Sequence, residues 1–511
     1  MLRVSDIQDF DVLKQAAELL ERAVPKLQNE VTRLRLEVAR LKGEAEPMVQ
    51  MSLLEEELAI LRKKQFAPSS EKRPKTEEND SDSPAEEKKT ERTGHGPTEQ
   101  PDLAVETTIW DIPEEKKQQI CEECGKPLLE KKGLVQESEM ITVVGVEFKI
   151  EKVVQKIYGC RCPDKLVTAP GPDRAVPGGR YSLEFGTFVA EQKYLDHMPL
   201  ARMQRMMERK GLQVTRSTLI DQLYGISDLL RPTWKALHRF TLDADWIHCD
   251  ETRWPMLDKK GSSKWWVWCV ASADSVFYNI HKSRSASAAK ELLGGFKGVV
   301  ITDGYSAYES ALKNLPPGDI VHAHCWAHVR RKFLDAEGNY REESKKPIEW
   351  IGKLFEIERK LPKLSRGECL SRRMVVLDER KSIREELSRP IINELRDWAH
   401  KTSPTLLPSS SIGKAVSYMM NLWKGLIVFL SNPRIPIDNN HAEREIRGVV
   451  IGRKNHYGSK SKRGTEVAAI FYTLFESAKL IGVDPSAYLL EAARRAIRNP
   501  RAITLPHEFL T

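Results

Sequence analysis

Two apolar runs of strand length, Ile247-His248-Cys249-Asp250 and Val299-Val300-Ile301-Thr302-Asp303, each break off at an aspartate. Short runs rich in β-branched residues suit strands buried in a sheet. Between them lie Trp265 to Ala271 and Val276 to Ile280, which also read as strands, and a helical Ala286 to Leu293. The order β-β-β-α-β commits this part of the chain to a sheet backed by helices. An aspartate at a strand end is most often a turn or cap residue, so the pair needs a second observation before it acquires a chemical meaning.

Glu443 supplies it. It lies in Asp438-Asn439-Asn440-His441-Ala442-Glu443-Arg444-Glu445-Ile446-Arg447, where Asn439 or Asn440 would cap the start of a helix. Ile446 and Val450 follow at i+3 and i+7, which puts the carboxylate on the inward face. A bare buried carboxylate is costly. The helix N-terminus and Arg447 one turn on offset part of that cost, and a bound cation would offset more. Three carboxylates form a hard oxygen donor set suited to Mg²⁺ or Mn²⁺. Two such ions can stabilise both the attacking and the leaving oxygen of an in-line phosphoryl displacement. The chemistry expected is cutting or joining DNA.

The 511 residues are too many for one ordinary core, and 40% hydrophobic content supports several folded parts. A net charge of +8 over this length says little by itself about nucleic acid. No window reaches the ~18 continuous apolar residues of a membrane span, and Met1 to Asp11 carries acids where a signal peptide would be basic and then apolar. A soluble, cytoplasmic, nucleoid-associated protein with no membrane partner is the expectation.

Leucines at 20, 27, 34 and 41 repeat every seven residues with Val24, Val31 and Val38 between them, the pattern of a parallel two-stranded coiled coil, so residues 1–66 predict a homodimer or higher oligomer. Residues 67–105 are Lys, Glu, Ser and Pro rich with almost no large apolar side chains, which predicts a disordered linker. Within 106–178, Cys121-Glu-Glu-Cys124-Gly125 and Cys160-Arg-Cys162 flank a strand-rich interval that includes Phe148 to Val154, a spacing that suits a four-cysteine Zn²⁺ ribbon. Residues 179–240 read as helical, with Gly211 stopping one helix and Thr215 opening the next. A helix-turn-helix reading follows, with Arg216 as its DNA contact. The α/β core then runs over 241–335 and 411–480, separated by a charged helical insertion at 336–410 and followed by a helical tail at 481–511.

With these residues assembled, the chain resembles the insertion-sequence-66 family of transposases, members of the DDE superfamily. The resemblance rests on Cys249-Asp250-Glu251-Thr252, Asp303-Gly304-Tyr305-Ser306-Ala307-Tyr308, Cys325-Trp326-Ala327-His328-Val329-Arg330-Arg331-Lys332-Phe333, and the Asn-rich Glu443 helix running into Gly452-Arg453-Lys454-Asn455. It implies a multidomain α/β protein with a ribonuclease-H-like mixed-sheet catalytic core, and Asp250, Asp303 and Glu443 as its catalytic triad. The four paired cysteines would be the family's zinc-binding domain. The implied activity is metal-dependent strand cleavage at the element's terminal inverted repeats, then transfer of the freed 3′ ends to target DNA. Companion proteins of the element are further partners that the family implies.

Basic residues flank the acids on both sides. Arg330, Arg331, Lys332, Arg444, Arg447, Arg453 and Lys454 are the expected phosphate contacts, the last two because Gly452 and Gly458 would let a backbone approach closely. Cys325 and His328, with His322 and His324 beside them, make an incomplete metal set, for which a structural or DNA-positioning role is expected. Two other functions stay open: a zinc-ribbon DNA-binding regulator without catalysis, and a ribonuclease-H-like nuclease that hydrolyses without joining.

Overall fold

The computed structural model describes residues 146–150, 157–159, 166–168, 172–258, 261–313, 320–363 and 369–509. The expected coiled coil, the linker and all four paired cysteines, Cys121, Cys124, Cys160 and Cys162, lie outside these residues. Within the expected ribbon, strands β1 (Ile157–Gly159) and β2 (Leu166–Thr168) pair antiparallel. Residues 148–150, expected to begin a strand, take none.

The chain next forms helices α1 (Leu183–Ala190), α2 (Leu200–Arg209) and α3 (Arg216–Leu242). Gly211 ends the turn after α2 with φ +83°, and Thr215 caps α3 by accepting the N–H of Thr218 at 3.2 Å, as the sequence predicts. The cap residue and the left-handed glycine are what fix both ends of this turn.

The sheet follows: β3 (Trp246–Asp258), β4 (Gly261–Ala271), β5 (Val276–His281), α4 (Ala286–Leu293), β6 (Gly298–Thr302), α5 (Ser306–Lys313) and β7 (Ile320–His324). Its strand order is β5-β4-β3-β6-β7, antiparallel among the first three and parallel from β3 through β6 to β7. All four expected strands are present, β3 much longer than Ile247 to Asp250, and β7 adds a fifth.

Beyond β7 come α6 (Trp326–Ala336), α7 (Arg341–Lys360), α8 (Leu370–Ile383), α9 (Arg389–Thr402), α10 (Ser411–Asn421) and the short α11 (Trp423–Leu426) and α12 (Val428–Ser431). The chain closes with α13 (Asn440–His456), α14 (Lys462–Leu480) and α15 (Pro485–Arg498).

Side chains alternate across the strands, so the sheet has two distinct packed faces. Trp254, Val267, Cys269, Ala271, Val276 and Tyr278 pack with α3, α13 and α14 in one core, while Ile247, Cys249, Trp268, Val270, Phe277 and Val300 pack with α4 and α5 in another. At the outer strand β5, the N–H of Tyr278 donates to Thr473 Oγ1 at 3.0 Å and that of Val276 to Ser477 Oγ at 3.1 Å, both on α14. Helices α6, α7, α9 and α10 gather a separate apolar cluster around Trp326, Phe333, Ile351 and Leu395. Arg384, with none of its surface exposed, binds Glu358 through two bonds of 2.8 and 2.7 Å. It also donates to the carbonyls of Phe429, Asn432 and Ile435.

Candidate active site

The parallel pairing of β3 and β6 sets His248 opposite Ile301. Two residues further along are Asp250 and Asp303, on neighbouring lines of chain about 4.8 Å apart. Asp303 falls just past the end of β6 as expected, but Asp250 does not end its strand, because β3 continues to Asp258 in its pairing with β4. By the same alternation both point to the face that α13 covers, and α13 carries Glu443. Burial, then the neighbouring charges of Glu251, Asp303 and Glu443, push the Asp250 carboxyl up to about 8. The charges of Asp303 and Glu443 thus both reach Asp250. Asp303 accepts the N–H of Tyr305 on Oδ1 at 2.9 Å, and its carbonyl accepts the Tyr418 hydroxyl.

Glu443 is half-buried in the first turn of α13, where the helix dipole favours a negative charge. Its neighbours come from α6: His328 Nε2 lies 3.6 Å from Oε1, and an Arg331 guanidinium nitrogen 3.9 Å from Oε2. Burial and the Arg331 charge lower the pKa of His328, which favours the neutral ring. Ile446 is buried as expected, but Val449 rather than Val450 is the next fully buried residue. Asn439 holds the cap position, yet its side chain makes no cap bond. Asp438 takes the N–H of Asn440 at 3.0 Å, and Asn439 faces the sheet instead.

Glu251 was not anticipated. It follows Asp250, so alternation sends it through the sheet to the opposite face. There it accepts Arg284 Nε at 2.8 Å and the Tyr308 hydroxyl at 2.6 Å. Arg284 in turn lies over the rings of Trp266 and Tyr305, 4.8 and 3.7 Å from their centroids. The adjacent Asp-Glu pair on a strand is the signal that could have revealed it, because one of two consecutive acids must face each layer.

The basic candidates divide by what they touch. Arg331, Lys332, Arg444, Arg447, Lys454 and Arg216 are exposed, and Arg330 is half-buried. Lys332 lies over the Tyr418 ring at 5.5 Å, next to Asp303. Arg453 turns inward, donating to Thr252 Oγ1 at 3.0 Å and to the Arg253 carbonyl. Gly452 and Gly458 also serve the interior. A Cβ at Gly452 would overlap the Tyr472 hydroxyl, and one at Gly458, where φ is +78°, would overlap the Pro255 carbonyl. Cys325 is buried, and its Sγ accepts the Asn439 N–H at 3.1 Å.

A model of the transposase IS66 family matches residues 178–467, more than half of the chain, from before α1 into α14. The chain belongs to the IS66 transposase family. It is similar to two uncharacterized proteins of Sinorhizobium fredii (strain NBRC 101917 / NGR234). One is y4hP, 28% identical over 416 residues covering 76% of this chain and 72% of the relative. The other is y4jD, 28% identical over 382 residues covering 72% and 73%. The IS66 match spans all three acids, the five-stranded sheet and the helical insertion, so the site just described sits within the part that the transposase family shares. No helix among the described residues of this IS66 member is long and apolar enough to cross a membrane.

Proposed function

We propose that this transposase-family protein is a DDE enzyme, which cuts DNA at the ends of its insertion sequence and joins the freed 3′ ends to target DNA. What supports the reading is that the register of two adjacent parallel strands brings Asp250 and Asp303 to one face of the sheet, beneath the helix that carries Glu443. The mixed sheet, three antiparallel strands continued by two parallel ones, supports a ribonuclease-H-like core.

The donor set fits divalent magnesium or manganese. All three groups are carboxylates, and Asp250 is held in a field that disfavours its charge, which a cation would reverse. Among the described residues no group of three His, Cys, Asp or Glu side chains already converges at ligand spacing. In this proposal Asp250 and Asp303 hold the ions and Glu443 completes the set. The ions would supply charge for the attacking and leaving oxygens. In the first step water attacks the phosphorus and the 3′ oxygen leaves. In the second, that 3′ hydroxyl attacks target DNA and displaces another 3′ oxygen, with no covalent bond to the protein.

Arg330, Arg331, Lys332, Arg444, Arg447, Lys454 and Arg216 are proposed to contact phosphates. Arg453 is proposed to join them only through the part of its guanidinium not spent on β3. The Zn²⁺ ribbon, a dimer through the N-terminal heptads and companion proteins of the element complete the proposal.

The decisive assay incubates the purified protein with Mg²⁺ or Mn²⁺ and the DNA flanking its own gene, then maps cleaved and joined ends. Joining by the wild type, lost in Asp250→Ala with retained binding to the terminal repeats, is the expected result. Joining by the purified Asp250→Ala protein would sink the assignment. Hydrolysis without joining would leave a nuclease, and repeat binding without nicking would leave a regulator.

A further inference from the structure

We infer that Asn439 is the positioning residue that fixes the spacing of the three carboxylates, an inference that rests on reading Asp250, Asp303 and Glu443 as one metal-binding set. Asn439 is fully buried at the start of α13. Its side-chain amide donates to the carbonyl of Cys249, the residue before Asp250, at 2.9 Å, and its Oδ1 accepts from His248 Nδ1 at 3.1 Å. Its backbone N–H donates to Cys325 Sγ at 3.1 Å. The N–H of Cys325 donates in turn to the carbonyl of Thr302, the residue before Asp303, at 3.1 Å. Finally, the Asn439 carbonyl accepts the N–H of Glu443 at 3.3 Å. One residue is thus bonded, directly or through one cysteine, to the main chain at or beside each acid.

The residue type follows from this task. A short side chain must present a donor and an acceptor at its tip, which asparagine does. An ionised aspartate lacks the donor, and serine is too short to span the gap to two neighbouring residues of β3. An asparagine at this position ordinarily bonds back to its own helix. Here that bond is absent and Asp438 satisfies Asn440 instead, which leaves the amide for the sheet. Cys325 also acquires a role, since its thiol serves as an acceptor between two elements. The three acids sit on β3, just past β6 and on α13. Their mutual distances are only as fixed as the links among those elements, and a misplacement of about 1 Å can cost ~100-fold in rate.

The test measures Mn²⁺ binding to the full-length protein without DNA, by the paramagnetic resonance of free Mn²⁺. The proteins compared are the wild type, Asn439→Ala, Glu443→Ala and the double variant, with terminal-repeat binding and thermal melting recorded beside them. Asn439→Ala is expected to weaken the Glu443-dependent Mn²⁺ binding about tenfold while repeat binding is unchanged. The double variant should show much less than the sum of the two losses, because one residue acts through the other. Wild-type Mn²⁺ affinity in Asn439→Ala, with Glu443→Ala weakened, overturns the inference and leaves the metal set standing, as does full additivity. Unchanged affinity in Glu443→Ala overturns the metal set and the inference together. Should Asn439→Ala fail to fold, Cys325→Ala removes only the sulfur acceptor. A several-fold weakening is expected there, and unchanged affinity overturns the inference.

Discussion

Replacing Asp250 by asparagine should make the metal-free protein more stable while it abolishes cleavage. In the folded chain the Asp250 carboxyl is pushed from its ordinary 3.8 up to about 8, first by burial and then by the charges of Glu251, Asp303 and Glu443. Below about pH 3.8 folded and unfolded chains both hold the proton, and the group is neutral with respect to stability. From there to about pH 8 only the folded chain holds it, so stability falls by ~1.4 kcal/mol for each pH unit gained and then levels off. At pH 7 the full penalty is about 4 kcal/mol. Asp250 retains some solvent contact, so roughly half of that, ~2 kcal/mol, is the expected gain in Asp250→Asn, or a few °C in melting temperature. The assay is thermal melting of both proteins in a chelator between pH 5 and 8, repeated with Mg²⁺. The gap should widen as pH rises. Mg²⁺ should close it by stabilising the wild type, since a ligand that binds only the folded state adds to its stability. A variant that melts at or below the wild type at pH 7, or a gap that does not change with pH, would refute the reasoning.

Arg384→Met should destabilise the helical insertion by about 3–5 kcal/mol, because Glu358 and three main-chain carbonyls lose their buried partner; a urea midpoint equal to the wild type would contradict this. Gly452→Ala should lower stability by about 1–3 kcal/mol through overlap with the Tyr472 hydroxyl, and Tyr472→Phe should recover part of the loss; melting curves of the two single variants and the pair decide it. Lys454→Ala should leave melting unchanged while reducing the salt dependence of DNA binding by close to one unit of slope. Arg453→Ala should lower the melting temperature as well, because it anchors β3; identical melting of the two variants would show that the anchor carries no weight.

The end of β6 before Asp303 was readable because the information is local: a strand end is marked by where its apolar run stops. For Asp250 the same signal misleads, because β3 continues past it to Asp258 in a polar stretch that only the pairing with β4 makes a strand. Glu443 was readable from its helical face. The roles of Glu251, Asn439 and Arg453 were not, since each is fixed by a partner far off in sequence. Asn439 meets Cys249 across 190 residues, and Arg453 meets Thr252 across 201. From the sequence, Asn439 is a helix cap and Arg453 a surface charge, and both expectations are sound until the sheet arrives to compete for the same polar atoms. The same competition explains Gly452 and Gly458. Their lack of a side chain signals close approach, but cannot say whether DNA or the protein's own tyrosine and proline do the approaching.

The hydroxyls that α14 offers to β5 bear on how this chain behaves in company. Alternate N–H groups along a strand are about 6.7 Å apart, and side chains four residues apart on a helix rise about 6 Å, so Thr473 and Ser477 match the spacing of Tyr278 and Val276. A bare outer strand is a template on which a second molecule can polymerise. Here the helix occupies that template, so sheet-to-sheet accretion from the β5 side is blocked chemically as well as sterically. Two small hydroxyl side chains thereby close this edge to strand addition by another chain.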